Sequence, residues 1–188
     1  NSFTIETTLK IGESSSFGYL AGNGDRSVGF RTEAVGGGYR LYFYICHNGG
    51  WQGVSSDVIS TEAIKNWLRV AAVFDADTDQ LRLYVEDQSY TTDGVTGIDR
   101  SEHGFSVGLG EFDNAEVDDH RNTHTFYNFR IYDKALTFEE FQSQSITSED
   151  EHVQLWYDFS ELDYDDPEDP EPTEDTIVIR YNGRNASL

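Results

Sequence analysis

The chain has 188 residues, with 35 Asp and Glu against 13 Lys and Arg, a formal net charge of −22, and 14 % aromatic side chains. This balance disfavours nucleic acid as a partner, because neutralising phosphates needs clustered basic residues, and it disfavours an anionic membrane surface for the same reason. The length fits one domain with a substantial core, the aromatic content argues against global disorder, and no apolar run is long enough to insert across a membrane.

Three readings of the acidity stand side by side: a solvated surface, calcium held by some of the carboxylates, and adaptation to high salt. Cys46 is the only cysteine, so neither an intrachain disulfide nor a cysteine zinc cluster can form. Within Tyr44-Ile45-Cys46 it reads as a buried, inert thiol. An extracellular domain without disulfides fits a bacterial secreted or surface protein. The chain opens directly on a strand, as expected of a domain belonging to a longer polypeptide. Asn185-Ala186-Ser187 is a glycosylation sequon that matters only in a eukaryotic secretory pathway.

Phe3, Ile5, Leu9 and Ile11 alternate with Thr4, Glu6, Thr8 and Lys10, which predicts a half-buried strand. Phe17 to Ala21 reads as a second strand closed by Asn23-Gly24-Asp25, and Val28 and Phe30 begin a third. From Tyr39 to Cys46 the pattern predicts Tyr39, Leu41, Phe43 and Ile45 on one face and Arg40, Tyr42 and Tyr44 on the other. Asn48-Gly49-Gly50 then turns the chain, and Trp51 to Val54 returns as a hairpin partner. Trp67 to Phe74 is a nearly continuous apolar run, read as a central strand with Trp67 in the core. Leu81, Leu83 and Val85 form the returning strand after the polar turn Asp75 to Asp79, and Phe105 to Leu109 and Thr125 to Tyr132 add two more. Thr137-Phe138-Glu139-Glu140 matches a capping box opening one short helix, with Phe138 and Phe141 on its buried side. Many short strands, Gly/Asn turns and one helix predict an all-β, two-sheet antiparallel β-sandwich. Residues 163–175, with three prolines among carboxylates, read as an exposed loop or linker, and Thr176 to Tyr181 as another strand.

Three segments together resemble the concanavalin A-like lectin/glucanase superfamily, in its laminin-G-like bacterial branch. They are Phe3 to Leu9, the pair Trp67 to Asp75 with Leu81 to Val85, and Phe129-Arg130-Ile131-Tyr132-Asp133-Lys134-Ala135-Leu136-Thr137 running into Glu139-Glu140. The resemblance implies a jelly-roll sandwich over residues 1 to about 145 and a binding role more than a catalytic one. The chain departs from it after Trp67, where Leu68 and Arg69 stand in place of the usual histidine. It departs again before Phe129, where Tyr127 and Asn128 replace an acidic pair that can help hold calcium in relatives. The strand with which such domains begin has its likeness at the end of this chain, in Val153-Gln154-Leu155-Trp156-Tyr157-Asp158-Phe159 and in 181–188. There are two explanations. Residues 153–162 and 176–188 dock as the missing first strands of one domain spanning 1–188, or they open the next module of a tandem array. Alternation of Val153, Leu155, Tyr157 and Phe159 favours docking, and domain termini lie close together.

No Glu-x-Asp-x-x-Glu strand, nucleophile elbow, phosphate loop or His-Glu-x-x-His motif occurs, so the expectation is a module without catalytic residues. Sugar binding needs an aromatic ring against the apolar face of a pyranose, with amides, carboxylates and Arg for its hydroxyls. Tyr42, Tyr44, His47, Asn48 and Trp51 supply that set, joined by Asp25 and Arg26 from the earlier turn. The competing reading makes Trp51 a cap on the core. Trp156 is out of phase with its neighbours and reads equally as core or ligand.

For calcium, Asp113, Asn114, Glu116, Asp118 and Asp119 form an oxygen-rich stretch, and a plain solvated loop is the alternative. Asp75, Asp77, Asp79 and Glu86 imitate an EF-hand but lack its glycine, and a hairpin turn is expected there. His120 and His124 are four apart without an expected helix, so zinc is disfavoured. The sequence therefore predicts a lectin-like module binding a polysaccharide or glycan, within a secreted or surface bacterial protein whose other domains are its neighbours, one candidate parent being a glycoside hydrolase. A calcium-dependent peptide-binding adhesin and a structural spacer are the alternatives.

Overall fold

The computed structural model describes residues 1–12, 17–23, 27–100, 105–108, 124–144, 146–159 and 178–181. Strand β1 (Phe3–Lys10) turns Phe3, Ile5 and Leu9 into the core. Next come β2 (Phe17–Gly22), β3 (Val28–Val35), β4 (Gly38–His47) and β5 (Gly50–Ser55), consecutive antiparallel neighbours in one sheet, with the short β6 (Ile59–Ser60) also pairing β4. Asn48 (φ 52°) and Gly49 (φ 73°) close the β4–β5 hairpin in the left-handed region that a two-residue primed turn requires. At Gly38 an added Cβ would sit 2.0 Å from the Ile59 carbonyl oxygen, so only glycine allows β6 to approach.

After a 3-10 turn (Ala63–Lys65), β7 (Leu68–Asp75), β8 (Gln80–Val85) and β9 (Gln88–Asp93) come next as a meander. Of the expected strand Phe105 to Leu109, β10 (Ser106–Val107) is formed, pairing β2, and Leu109 lies outside the described residues. Then come β11 (Thr125–Tyr132), helix α1 (Phe138–Ser143), β12 (Val153–Asp158) and β13 (Val178–Tyr181). Two antiparallel sheets result, in the orders β13-β12-β11-β1-β7-β8-β9 and β10-β2-β3-β4-β5. The inward side chains of both meet in one core that includes Leu9, Phe30, Leu41, Phe43, Val70, Leu83 and Phe129. Phe3 meets Phe43 edge-on across the sheets at 6.2 Å. Among the described residues the architecture is an all-β sandwich with one short helix, as the alternation predicts.

Helix α1 begins with the capping box. Glu140 N–H donates to Thr137 Oγ1 at 3.1 Å, and Thr137 N–H donates to the Glu140 carboxylate at 2.9 Å. Such a cap is worth about 1 kcal/mol. The helix covers part of the outer face of the seven-stranded sheet, packing Phe141 and Phe138 on Ala71, Val73 and Tyr84. That cover is why β7 is buried on both faces over Val70 to Phe74.

Beside the helix lies a buried charge cluster. The Glu6 side chain is 1 % exposed. It accepts from Arg69 Nε at 2.7 Å, from Tyr132 Oη at 2.7 Å and from the Arg130 guanidinium at 3.4 Å. Arg69 also lies over Phe141 at 4.4 Å, and Arg130 over Trp156 at 3.8 Å. Across the molecule, His124 ties β1 to β3. Its Nδ1 accepts from Gly12 N–H at 3.0 Å, so the proton sits on Nε2, 3.0 Å from Thr32 Oγ1.

Strand β12 lies beside β11, and β13 beside β12. The expectation that Val153, Leu155, Tyr157 and Phe159 share a face is corrected by a bulge. Tyr132 pairs with Val153 but Ile131 with Leu155, so Gln154 is an extra residue and the phase slips. Val153 consequently packs with Tyr132, Leu136 and Trp156 on the outer face. Leu155, Tyr157 and Phe159 pack against the core. Trp156 thus has a structural place under Arg130. The Asp75 to Asp79 stretch is a hairpin turn, its Asp75 carboxylate accepting from Asp77 N–H at 3.0 Å, from Thr78 N–H at 3.3 Å and from Arg82.

Candidate functional site

The outward side chains of the six-stranded sheet build one continuous aromatic and polar surface. β4 sends Arg40, Tyr42 and Tyr44 outward because their neighbours Leu41, Phe43 and Ile45 fill the core. Cross-strand register sets Gly29 and Gly53 on either side of Tyr44, and Arg31 opposite Tyr42. A Cβ at Gly29 would fall 2.3 Å from Tyr44 Cζ, so the tyrosine ring lies flat over bare backbone. Its hydroxyl meets that of Tyr19 at 2.6 Å. Trp51 stands edge-on to it with centroids 5.0 Å apart, and the Arg31 guanidinium lies 5.2 Å from its centroid and 5.9 Å from that of Tyr42. Arg31 also pairs with Glu33 at 3.4 Å.

Trp51 is 47 % exposed, so it does not cap the core. Tyr44 fixes its edge and leaves indole surface to solvent, while Arg31 lies against the Tyr44 and Tyr42 rings on the same sheet face. This arrangement suits stacking on an apolar ring face while hydrogen-bonding polar substituents around it.

His47 and Asn48 stand apart from this surface. His47 has the parity of Ile45, opposite to Tyr44, and its ring packs where a Cβ on Gly97 would be 2.8 Å from Cε1. Its Nε2 lies 2.8 Å from Asn48 Nδ2 and 3.2 Å from Thr96 Oγ1. Asp99 clamps this hairpin tip, accepting from Asn48 N–H and Gly49 N–H at 2.9 Å each. Those amide donors hold the Asp99 carboxyl below its ordinary value. The Cys46 thiol donates to Asp99 at 3.4 Å, and burial together with that carboxylate pushes the thiol up, which suits an inert cysteine. The tip is a structural latch.

Asp25 and Arg26 lie outside the described residues, as do Asp113, Asn114, Glu116, Asp118, Asp119 and His120. Among the described residues no group of three His, Cys, Asp or Glu is placed to hold a metal ion. Trp67 corrects an expectation. It is 42 % exposed and contacts Tyr127, which is 44 % exposed, on the outer face of the other sheet. Sequence reasoning also missed Tyr19, Gly29 and Arg31. The signal present for the last two was alternation along β3, which sets them opposite in phase to the core residues Val28 and Phe30.

The fold is an antiparallel β-sandwich that several solved structures share. It is similar to a candidate carbohydrate-binding protein from Bacteroides ovatus, with a TM-score of 0.64 and 16 % identity over 85 % of this chain and 45 % of that one. It is similar to a heptameric SAP-like pentraxin from Limulus polyphemus, with a TM-score of 0.59 and 17 % identity over 77 % of this chain and 70 % of the other. The CBM40 of the Ruminococcus gnavus IT-sialidase superposes with a TM-score of 0.54 and 14 % identity, over 78 % of this chain and 83 % of that one. The chain thus spans less than half of the Bacteroides protein. No protein-family model matches the sequence, and no curated protein matches it.

Proposed function

We propose that the chain is a non-catalytic carbohydrate-binding module of the laminin-G-like kind, carried by a larger secreted or cell-surface bacterial protein. The observation that carries the reading is Trp51, nearly half exposed and held edge-on by Tyr44 beside Arg31. Covering a half-exposed indole is favourable, and a sheet face that also carries Arg31 and the Tyr19 and Tyr44 hydroxyls fits a saccharide better than an apolar partner. Fold likeness to a candidate carbohydrate-binding protein and to a CBM40 supports the reading.

A glycan array followed by calorimetry tests it. Trp51→Ala is expected to weaken binding at least about tenfold, the loss of a central aromatic anchor. Gly29→Ala is the sharper variant, because it touches no ligand: its methyl displaces the Tyr44 ring tip and is expected to weaken binding while the protein stays folded. Unchanged affinity in both variants would remove this surface from consideration. A chelator arm decides whether binding needs calcium, for which Asp113, Asn114, Glu116, Asp118 and Asp119 are the candidate ligands. Adhesion that needs calcium without any glycan signal would favour the adhesin reading, and silence in every arm a spacer.

We also propose that 153–159 belongs to this domain and does not open a second one. Support comes from the ladder joining β12 to β11 and from Phe159 N–H donating to Tyr127 O at 3.0 Å. Hydrogen exchange is expected to show the β12 amides opening together with those of β11. Rapid, independent exchange of β12 would assign it elsewhere.

A further inference from the structure

We propose a second saccharide site, on the outer face of the seven-stranded sheet, that takes an acidic sugar residue between Trp67 and Tyr127. It shares no residue with the Trp51 surface and stands or falls without it.

The aromatic pair is assembled by two local devices. Trp67 immediately precedes β7 and has the outward parity of Arg69, beyond the part of the sheet that α1 covers. Tyr127 is the extra residue of a bulge, because Thr8 pairs with Asn128 while Leu9 pairs with Phe126. Regular alternation would aim Tyr127 inward with Phe129 and Ile131; the bulge turns it outward instead. Strands β7 and β11 flank β1, so their backbones are about 9.5 Å apart. The two rings nonetheless meet at 5.5 Å and 65°, leaning towards each other across β1. The core gains nothing from two large aromatics that are each more than 40 % exposed.

Below the pair lies a groove of about 360 Å³, at the small end of the range for small-molecule sites. Its walls are polar and already fixed. Arg69 and Arg130 are anchored on Glu6 and stacked on Phe141 and Trp156, so they would lose little freedom on binding. The Asn128 side-chain Oδ1 accepts from Thr8 N–H at 3.0 Å, which leaves its amide NH2 as the donor group. Gln144, in the left-handed conformation that ends α1, closes one end.

Both arginines are committed to Glu6, Glu86 shares the groove, and Asp158 is the cross-strand partner of Asn128, so Lys10 is the cation that selects the ligand's charge. Lys10 Nζ sits 4.8 Å over the Trp67 ring, at the rim, where it can move from the indole to an incoming anion. Aromatic faces for ring carbons, a fixed amide donor and a mobile cation at the edge match a pyranose bearing a carboxylate or sulfate. A neutral sugar would leave Lys10 without a role.

The test uses the full chain and an array of uronate-, sialate- and sulfate-bearing oligosaccharides with their neutral counterparts, followed by calorimetry on the hits. At least one acidic glycan is expected to bind Trp51→Ala as it binds wild type, and to lose roughly tenfold or more in Trp67→Ala and Tyr127→Ala. Lys10→Gln should cost that glycan roughly two- to fivefold, with a matching loss in high salt, and should leave neutral glycans alone. Both aromatics are exposed, so melting curves should show the variants folded. The proposal is overturned if no acidic glycan binds, if Trp67→Ala keeps the wild-type profile, or if what Trp67→Ala loses is neutral and indifferent to Lys10→Gln. The Trp51 reading fails separately, when Trp51→Ala loses no glycan.

Discussion

Replacing Glu6 with alanine is expected to destabilise the domain by about 3–5 kcal/mol, the cost of leaving buried countercharges unpaired. The size of the loss reflects the groups that the carboxylate holds. Arg69 and Arg130 have side chains only 15 % and 17 % exposed, so water cannot replace the lost partner well. The Tyr132 hydroxyl, fully buried, would lose its acceptor too. For a domain of this size the melting temperature should fall by roughly 6–20 °C. Glu6→Gln keeps an acceptor and should cost less. Glu6→Leu, Arg69→Met and Arg130→Met combined in one variant should recover most of the loss, since buried ion pairs are often matched by well-packed apolar groups. Urea denaturation of the three variants checks this. A loss below about 1 kcal/mol in Glu6→Ala would show that the cluster is solvated in ways its burial does not indicate.

The second large effect is a pH dependence centred on His124. Burial pulls its pKa from 6.5 down to about 4. In the fold the neutral ring is required, because Nδ1 must accept from Gly12. The unfolded chain binds a proton at 6.5, so it gains protons that the fold refuses between pH 6.5 and 4. The contribution is therefore complete above pH 6.5, declines as the pH falls, and is gone below about 4, a total of about 3 kcal/mol. The many carboxylates also respond to acid, so the clean measurement is a difference. Urea midpoints for wild type and His124→Gln are compared from pH 7.5 to 4, and their stability gap should shrink by that amount. A gap independent of pH would mean that His124 is solvated in the fold.

How much was legible beforehand depends on whether one face of an element was wet. In β4, Tyr39, Leu41, Phe43 and Ile45 alternate with outward neighbours, and the face assignment is direct. The same alternation separates His47 from Tyr44, so part of the grouping around Trp51 could have been rejected from the pattern alone. In β7 it fails. Residues 70 to 74 are buried on both faces because α1 lies over them, so the run has no phase, and Trp67 looks like one more core residue although the helix stops short of it. Bulges defeat the reading differently. An extra residue at Gln154 or Tyr127 flips the facing of the side chains beyond it, and nothing in the local composition marks it. The partnership of Gly29 with Tyr44 needs cross-strand register, which only the folded pairing supplies. The capping box, by contrast, is local chemistry and was legible in full.

The position of β1 has a kinetic consequence. It is made well before β11, one of its two partners, to which it is joined by contacts such as Thr7 to Asn128 that are 121 residues apart in sequence. Closing so long a loop carries an entropic cost that must be met before the pairing stabilises anything, which places the domain among slow folders. During synthesis β1 leaves the ribosome long before β11 exists. Until then it presents an open edge with an apolar face, which is the hazard that edge strands carry. Refolding yield should accordingly fall with protein concentration, and a chaperone that masks strand edges should restore it.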